Sequence, residues 1–378
     1  MAPIRLALIG LSQAAKTSWA AEGHLPYLLS DRGRERYKIT ALLNSSEEAA
    51  QRAIDHYKLG VDVKAYGSPE ALASDPEIDL VACTTRVDVH YDTVKPSIEA
   101  GKDVFVEWPL AENVRRASEL AHLAKDKHVR TVVGLQARVA PALVKVKELV
   151  KAGTIGQVLS SEVRITTPFG GGDDISEGLG YFLDKRVGGN PVTIAFGHTI
   201  DLVHFVLGEY SSSQAHLQIQ RPNQTVINRD TGAKKAATSD VPDLMAVHGT
   251  LQSSGYVAQG ASLVVSFRTG PPYPGTTAFV WTINGEKGEI QISSERGAFI
   301  QAQEAHIPIP IEVHDFATNE VKKVEWAWED WQERLSSRGR NIGKLYDLLY
   351  EGRLEERGAA DFESAVARHR QLDAMLWR

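Results

Sequence analysis

The sequence predicts an α/β domain built on a doubly wound parallel sheet, followed by an α+β domain with an open, mostly antiparallel β-sheet. Three observations lead to this fold class. The chain has 378 residues, more than the roughly 150 of one typical domain. Up to residue 135, short β-type runs alternate with helical periodicity. After Gly153, longer runs of alternating apolar and polar residues replace them. We therefore place the two domains at residues 1–135 and 136–378.

The first domain alternates strands with helices, as a parallel sheet with crossover connections requires. The predicted strands are Ile4 to Ile9, Ile39 to Leu43, Leu80 to Thr84, Asp103 to Val106 and Thr131 to Gly134. The predicted helices are Ser46 to Tyr57, His90 to Ala100, Val114 to Lys125 and Ala140 to Lys151. Cys83 lies in an apolar strand and is expected to be a buried small side chain.

The second domain is predicted to be mostly β, with one covered and one exposed sheet face. The predicted strands are Val158 to Thr166, Gln214 to Gln220, Met245 to Leu251, Ser262 to Arg268, Ala278 to Ile283 and Gly288 to Ser293. The predicted helices are Thr199 to Leu207, Trp328 to Glu351 and Phe362 to Leu376. The polar stretch from Asn223 to Asp243 is predicted to be a long mobile loop.

Composition and charge exclude several classes of function. The formal net charge of −6 at pH 7 gives no general attraction to polyanions, so we expect no direct binding to nucleic acid or to a membrane. No uncharged apolar run reaches the roughly 20 residues that span a bilayer. The N-terminus lacks the pattern of a secretory signal, and the single cysteine cannot form an internal disulfide. A cytoplasmic protein is the expectation.

The turn after the first strand is the first indication of a ligand. It reads Gly10-Leu11-Ser12-Gln13-Ala14-Ala15 and leads into a helix predicted to run through Lys16 to Ala21. In the fingerprint of dinucleotide-binding Rossmann domains, three glycines make the tight turn, admit the pyrophosphate and pack the helix. Only Gly10 is present, although Ser12 and Ala15 are small. We expect NAD or NADP here, and an ordinary strand-to-helix turn is the alternative.

The end of the second strand affects the choice between these two cofactors. NAD-selective domains place an Asp or Glu there to hold the ribose hydroxyls, and this sequence has Asn44-Ser45-Ser46. Without that negative charge a 2′-phosphate is not repelled, and the two serines can donate hydrogen bonds to it. The sequence therefore favours NADP without excluding NAD. The same residues fit a helix N-cap, and the two roles can coexist.

Spaced motifs over nearly the whole chain resemble those of the Gfo/Idh/MocA family of sugar and cyclitol oxidoreductases. The segment Glu99–Leu110 is similar to the family's AGKHVxxEKP motif. Further similar segments are Val133–Arg138, Lys151–Val158, Gly188–Asn190 and His198–Asp201. The resemblance implies a Rossmann domain that binds NAD or NADP and a β-domain that self-associates. It also implies a last helix that returns to the Rossmann domain.

Two departures from the family pattern affect the expected chemistry. The family's lysine, which serves acid–base chemistry beside nicotinamide, is Trp108 here, and the aspartate of a second motif is Ile194. Tryptophan does not exchange a proton near neutral pH, but its indole offers one donor and a stacking face. The Glu-Trp-Pro form, together with Trp19 and His24-Leu25-Pro26, resembles a subgroup that contains the galactose-regulon repressor and also enzymes.

The candidate site residues follow from the fold and the resemblance together. The predicted cofactor contacts are Gly10, Ser12, Gln13, Ala14, Asn44, Ser45, Ser46, Thr84, Arg86, His90, Glu107, Trp108 and Gln136. The predicted catalytic residue is His198, because imidazole transfers protons near neutral pH, with Tyr181 or Lys185 in reserve. The predicted substrate contacts are Trp108, Arg138, Tyr181, His198 and Asp201. The spacing of His198, Asp201 and His204 does not suit a metal, so no metal is expected.

Several of these residues also have a structural alternative. His198 would otherwise cap its helix, and Asp201 would pair with a neighbour. The other structural roles are a solvated loop residue for Lys185, an ion-pair partner for Arg138, a core residue for Trp108 and a first-turn helix residue for His90.

The predicted function is an NAD- or NADP-dependent oxidoreductase. It would move a hydride between nicotinamide and a carbinol or carbonyl carbon of a sugar, polyol or other small polyfunctional metabolite. The first alternative is a non-catalytic dinucleotide-binding regulator that acts through a protein partner and resembles the galactose-regulon repressor. The second alternative is a redox-neutral NAD-dependent hydrolase or lyase. We also expect at least a homodimer, formed through the exposed face of the β-domain.

Overall fold

The computed structural model of the protein describes residues 2–13, 18–167, 174–295, 297–302 and 307–376. The chain divides into two compact units. The first consists of Met1–Val139, Arg186–Gly189 and Glu329–Asp373. The second consists of Ala140–Lys185, Asn190–Trp328 and Ala374–Arg378. No helix within the described ranges is long and apolar enough to cross a membrane.

The first unit contains the predicted doubly wound parallel sheet. Its strands are β1 (Ile4–Ile9), β2 (Tyr37–Leu43), β3 (Lys64–Tyr66), β4 (Leu80–Cys83), β5 (Asp103–Val106) and β6 (Thr131–Val133). They are all parallel, in the order β3-β2-β1-β4-β5-β6. The sequence did not predict β3, because this edge strand has no fully buried residue and so no apolar run. Cys83 is buried, as expected for a small core side chain.

Short helices connect these strands. They are α1 (Leu25–Leu28), α2 (Asp31–Arg36), α3 (Glu47–Tyr57), α4 (Pro69–Ala73), α5 (His90–Glu99) and α6 (Val114–Asp126), and a π-helical turn at Ala20–His24 precedes α1. Four of these helices begin at a residue whose side chain accepts a backbone N–H of the first turn. The four residues are Ser30 for α2, Ser46 for α3, Ser68 for α4 and Asn113 for α6. Each satisfies a donor that the first turn of a helix leaves open.

The second unit contains an eight-stranded sheet that is mostly antiparallel, which confirms the second half of the predicted fold. Its strands are β7 (Val158–Thr167), β9 (Tyr210–Gln218), β12 (Leu244–Leu251), β13 (Val257–Thr269), β14 (Phe279–Gly285), β15 (Gly288–Ser294), β16 (Ile311–Asp315) and β17 (Glu320–Lys323). The order is β17-β16-β15-β14-β7-β13-β12-β9, and only β7 and β13 among these neighbours run parallel. The helices α7 (Pro141–Lys151) and α8 (Gly197–Leu207) also belong to this unit.

The prediction of a mobile loop from Asn223 to Asp243 was wrong. This segment holds β10 (Asn223–Ile227) and β11 (Lys234–Thr238), which pair with each other, and β10 also pairs with β8 (Asp174–Ser176). The Asn228 side chain shapes the turn by accepting hydrogen bonds from the N–H groups of Asp230 and Thr231, both at 3.0 Å. The hairpin is largely exposed, so its polar composition concealed it.

The C-terminal segment differs from the single helix predicted at Trp328 to Glu351. It forms α9 (Asp330–Glu333) and α10 (Ser337–Glu351), because Ser336 is in an extended conformation with ψ 149°. The last helix, α11, runs over Phe362–Leu376 as predicted.

The first unit holds α10 through aromatic side chains and one buried carboxylate. The rings of Tyr27 and Tyr346 stack with centroids 5.7 Å apart. Asp347 is buried and accepts a hydrogen bond from the Tyr27 hydroxyl at 2.7 Å. It also pairs with Arg32 at 2.6 Å and Arg36 at 2.9 Å. Burial and the nearby carboxylate raise the pKa of Tyr27, so its hydroxyl stays protonated and donates. Asp347 therefore joins α10 to the N-terminal helices.

Replacing Asp347 with asparagine tests this connection. Asp347→Asn removes a buried charge that pairs with Arg32 and Arg36, while Glu351 still pairs with Arg36 at 3.0 Å, so we expect a loss of about 1.5–3 kcal/mol of unfolding free energy. The measurement is chemical denaturation followed by tryptophan fluorescence. The control is Asp126→Asn at the exposed end of α6, which should change stability by less than about 0.5 kcal/mol. Equal effects from the two substitutions would contradict the assigned role.

Candidate functional site

The order of the parallel strands reverses at β1, where a tight turn begins at Gly10. Gly10 has φ +96°, and its N–H donates to the Leu43 carbonyl at 3.0 Å. A Cβ on Gly10 would lie 2.6 Å from Cγ2 of Thr85, so no side chain fits there. The N–H and hydroxyl of Thr84 both donate to the Ile9 carbonyl, at 3.0 and 2.8 Å. Open α/β sheets bind ligands at this position.

The rest of the predicted phosphate turn is only partly described. Ser12 is half-buried and Gln13 is exposed just after Gly10. Ala14, also predicted to contact the cofactor, lies outside the described residues. The contacts of Ser12 and Gln13 with a cofactor stay predictions.

Asn44, at the end of β2, supports the turn. Its side-chain amide donates to the Leu11 carbonyl at 2.9 Å, and its backbone N–H donates to the Tyr66 carbonyl at 3.1 Å. The side chain predicted to contact the cofactor ribose is therefore used to hold the turn that follows Gly10.

The two serines after Asn44 differ in their surroundings. Ser46 is the N-cap of α3, and its hydroxyl also hydrogen-bonds the Glu48 carboxylate, which lowers the pKa of Glu48. This is the capping role that the sequence offered as an alternative. Ser45 is exposed at the end of β2, whereas Ser46 is only partly exposed. Ser45 is therefore the more accessible of the two serines to a ligand.

The residues after β4 are engaged with the protein itself. Arg86 makes two hydrogen bonds of 2.6 Å to Asp88. His90 is buried, with Nδ1 3.0 Å from the Pro109 carbonyl oxygen and Nε2 2.9 Å from that of Thr85. Burial lowers the pKa of His90. His90 therefore joins the turns after β4 and β5, and its contact with a cofactor stays a prediction.

Glu107, directly after β5, is fixed by two residues that the sequence analysis did not assign to the site. Its Oε1 lies 2.9 Å from Nε2 of His24, and Nδ1 of His24 lies 2.8 Å from the Tyr346 hydroxyl. Burial raises the pKa of Tyr346, so its hydroxyl keeps its proton. In the His24 tautomer with the proton on Nε2, the ring donates to Glu107 and Nδ1 accepts from this hydroxyl. A Cβ on Gly134, the residue after β6, would lie 2.2 Å from Oε2, so a larger residue there would displace the Glu107 carboxylate.

Trp108 packs against a second histidine that sequence reasoning missed. Trp108 is only 5% exposed, is joined to Pro109 by a cis peptide bond, and has its ring centroid 4.8 Å from that of His369 in α11. Burial, with the charge of His90, lowers the pKa of His369 to about 3, so His369 is neutral at pH 7. Its Nε2 is buried without a hydrogen-bond partner among the described residues. Such an atom costs about 1–3 kcal/mol of stability.

Gln136 and Arg138 lie in a 3₁₀ turn that follows β6. Gln136 is buried, and its Oε1 also has no hydrogen-bond partner in the described part of the chain. Arg138 is partly exposed. Gln136 and His369 thus each have a buried polar atom without a hydrogen-bond partner among the described residues. Gln136 follows β6, and His369 lies beside Trp108, which follows β5.

The remaining candidates belong to the second unit. His198 and Asp201 are both buried in α8, one turn apart. Tyr181 lies in the 3₁₀ segment Glu177–Leu183, and the backbone N–H of Lys185 donates to Asp240 at 2.7 Å. The structure thus places His198 and Asp201 on one helix, and Tyr181 and Lys185 on a separate segment.

His204, the third member of the spacing considered for a metal, has a structural contact. Its Nδ1 lies 2.7 Å from the Gly208 carbonyl oxygen at the end of α8. Over the described ranges, no three His, Cys, Asp or Glu side chains are grouped to hold a metal ion.

Comparison with known proteins agrees with this architecture. Residues 4–135 match the profile of an oxidoreductase family with an NAD-binding Rossmann fold, and residues 141–294 match that of the Gal80p C-terminal domain. The chain is 31% identical over 379 residues to the dehydrogenase aclE of Aspergillus oryzae, covering 99% of this chain and 95% of aclE. It is 30% identical over 305 residues to the galactose/lactose metabolism regulatory protein GAL80 of Saccharomyces cerevisiae, covering 78% and 68%.

Solved structures show the same fold. A super-repressor mutant of Saccharomyces cerevisiae Gal80p superposes with a TM-score of 0.84 at 25% identity, covering 99% of this chain and 95% of that one. Levoglucosan dehydrogenase in complex with NADH and L-sorbose has a TM-score of 0.75 at 18% identity, covering 100% and 96%. The similarity to aclE and GAL80 extends over most of each chain, and the protein is therefore a member of the Gfo/Idh/MocA oxidoreductase family that resembles the Gal80 repressor.

Proposed function

We propose that the protein is an NAD- or NADP-dependent oxidoreductase acting on a sugar, polyol or similar small polyfunctional metabolite. The observation that carries the proposal is the parallel strand order with the Gly10 turn at its centre. Rossmann sheets of this order bind a dinucleotide across the ends of their strands. The extended similarity to the dehydrogenase aclE supports the reaction class.

The residues at this edge of the sheet fit a dinucleotide. Gly10 has the positive φ of the tight turn in a dinucleotide site, and the small Ser12 stands where the second glycine of the fingerprint admits the pyrophosphate. In the proposed arrangement, Gly10, Ser12, Gln13 and Ser45 hold the adenosine half, and Glu107, Trp108 and Gln136 hold the nicotinamide half. We propose NADP in preference to NAD because neither Asn44 nor Ser45 presents a carboxylate to a 2′-phosphate.

The proposed chemistry needs one proton carrier from the protein. When bound, nicotinamide accepts the hydride from a carbinol carbon, and the hydroxyl proton must leave at the same time. His198 is proposed to take that proton, with Asp201 one turn along α8 to orient it. Trp108 replaces the lysine that would otherwise share this task, so Tyr181 and Lys185 are the reserve groups and Arg138 binds substrate oxygens.

Replacing His198 tests the proposed proton transfer. His198→Asn should lower kcat at least about 100-fold, the usual contribution of a general acid or base. Dissociation constants for NADH and NADPH should change less than about threefold, because a hydrogen-bonding amide replaces the ring. His122→Asn, on the exposed face of α6, is the matched control and should leave turnover unchanged. Equal turnover in the two variants would exclude His198 as the proton carrier.

A dinucleotide-binding regulator is the second candidate function. Trp108 in place of the lysine and the similarity to GAL80 favour it. A regulator would bind NADH or NADPH but oxidise neither with any sugar, polyol or carbonyl compound tested. Turnover that depends on His198 would instead favour the enzyme.

We also propose that the protein forms a homodimer through the open face of the eight-stranded sheet. Val264 lies near the middle of this face, on β13, and is 44% exposed. Its paired neighbours are Glu162 on β7 and His248 on β12. An apolar side chain between two polar ones on the exposed face of an eight-stranded sheet suits the centre of an interface with a polar surround.

Charge introduced at Val264 tests the dimer. Val264→Glu places a second carboxylate beside Glu162, and burial of like charges opposes association. Sedimentation velocity should show a dimer for the unmodified protein and a monomer for this variant. Val61→Glu, at a fully exposed site of the first unit, is the control and should stay dimeric. A monomer before substitution, or an unchanged dimer after it, would contradict this interface.

A further inference from the structure

His369 belongs to the last helix of the chain but lies near the carboxyl ends of the parallel strands. The Val133 N–H of β6 donates to the Ala360 carbonyl at 2.8 Å, and the Phe362 N–H donates to the Thr131 hydroxyl at 3.2 Å. From there α11 rises roughly 10 Å over seven residues, similar to the length of β6. The helix therefore begins beside the start of β6, and His369 further along it lies next to Trp108. Trp108 is two residues beyond the end of β5.

The unsatisfied nitrogen of His369 is the observation that calls for a ligand. His369 is 6% exposed, and its Nε2 has no hydrogen-bond partner among the described residues. Native proteins leave few buried polar side-chain atoms unpaired, and each such atom needs an explanation, such as strain, a catalytic role, or an unseen water or ligand. Leucine at this position would avoid the unpaired atom altogether. The stability of the fold therefore does not explain why a histidine is present at position 369.

We propose that His369 is a binding residue for the nicotinamide half of the cofactor, with its Nε2 hydrogen-bonded to the nicotinamide carboxamide. This inference rests on the proposed function. In a Rossmann sheet the second half of the dinucleotide lies along the strands that correspond to β4, β5 and β6, which is where Trp108 and His369 are found.

The chemistry of the two groups is compatible. A carboxamide has an NH₂ donor and a carbonyl acceptor, so it satisfies Nε2 in either tautomer of a neutral imidazole. Since His369 is neutral over the working pH range, the contact brings no charge to the positively charged ring of the oxidised cofactor. Because Nε2 is buried in the ligand-free protein, side chains around it have to move for nicotinamide to reach it.

The test compares ligands with and without nicotinamide. Calorimetry measures dissociation constants for the reduced cofactor, NADH or NADPH, and for ADP-ribose or its 2′-phosphate. We expect His369→Leu to weaken binding of the reduced cofactor about tenfold, the effect of one hydrogen bond, and to leave binding of the fragment within about twofold. His369→Gln, which keeps a donor and an acceptor, should recover part of the loss. His122→Leu, on the exposed face of α6, is the control.

Thermal denaturation of the ligand-free variants completes the test. We expect His369→Leu to melt at the same temperature as the unmodified protein or higher, because it removes an unpaired polar atom. Unchanged affinity for the reduced cofactor would overturn the role of His369. Equal loss for both ligands with a lowered melting temperature would make the residue structural and overturn it too. If the unmodified protein bound neither ligand, the proposed function itself would fail.

Discussion

The functional edge of the parallel sheet depends on the lack of space at Gly10. Its backbone is bonded to the end of β2, and the Thr85 side chain of the turn after β4 occupies the place of a Cβ. The ends of β1, β2 and β4 therefore meet at one point with no side chain between them. A substitution there would be strained at this positive φ and would displace the Thr85 side chain, so the proposed pyrophosphate turn and the packing at the ends of the strands both favour glycine.

The C-terminal segment completes this edge from the other side. Tyr346 in α10 reaches Glu107 through His24, and His369 in α11 reaches Trp108. Both residues after β5 are thus positioned by helices that follow the whole second unit in sequence. This explains how the family's lysine position tolerates tryptophan: the indole has a packing partner of its own, and the adjacent carboxylate is held independently.

The sequence predicted the regular parts of the fold better than the contacts of the site. Strands β1 and β5 and helix α11 have the predicted bounds, because apolar periodicity and turn residues are local signals. The hairpin of β10 and β11 was missed because its stability depends on pairing rather than on apolar residues. The His24–Tyr346 contact joins residues 322 positions apart, and the helix face that presents His369 is set by tertiary packing. Neither has a signal in a single sequence.

The central claim is that a nicotinamide dinucleotide binds across the ends of β1 to β6. The most direct measurement is a crystal structure of the protein with NADH or NADPH bound. We expect electron density for the pyrophosphate at the Gly10 turn and for nicotinamide beside Trp108. Cofactor density at another place would contradict this claim. So would a protein that binds neither cofactor, in the crystal or in solution.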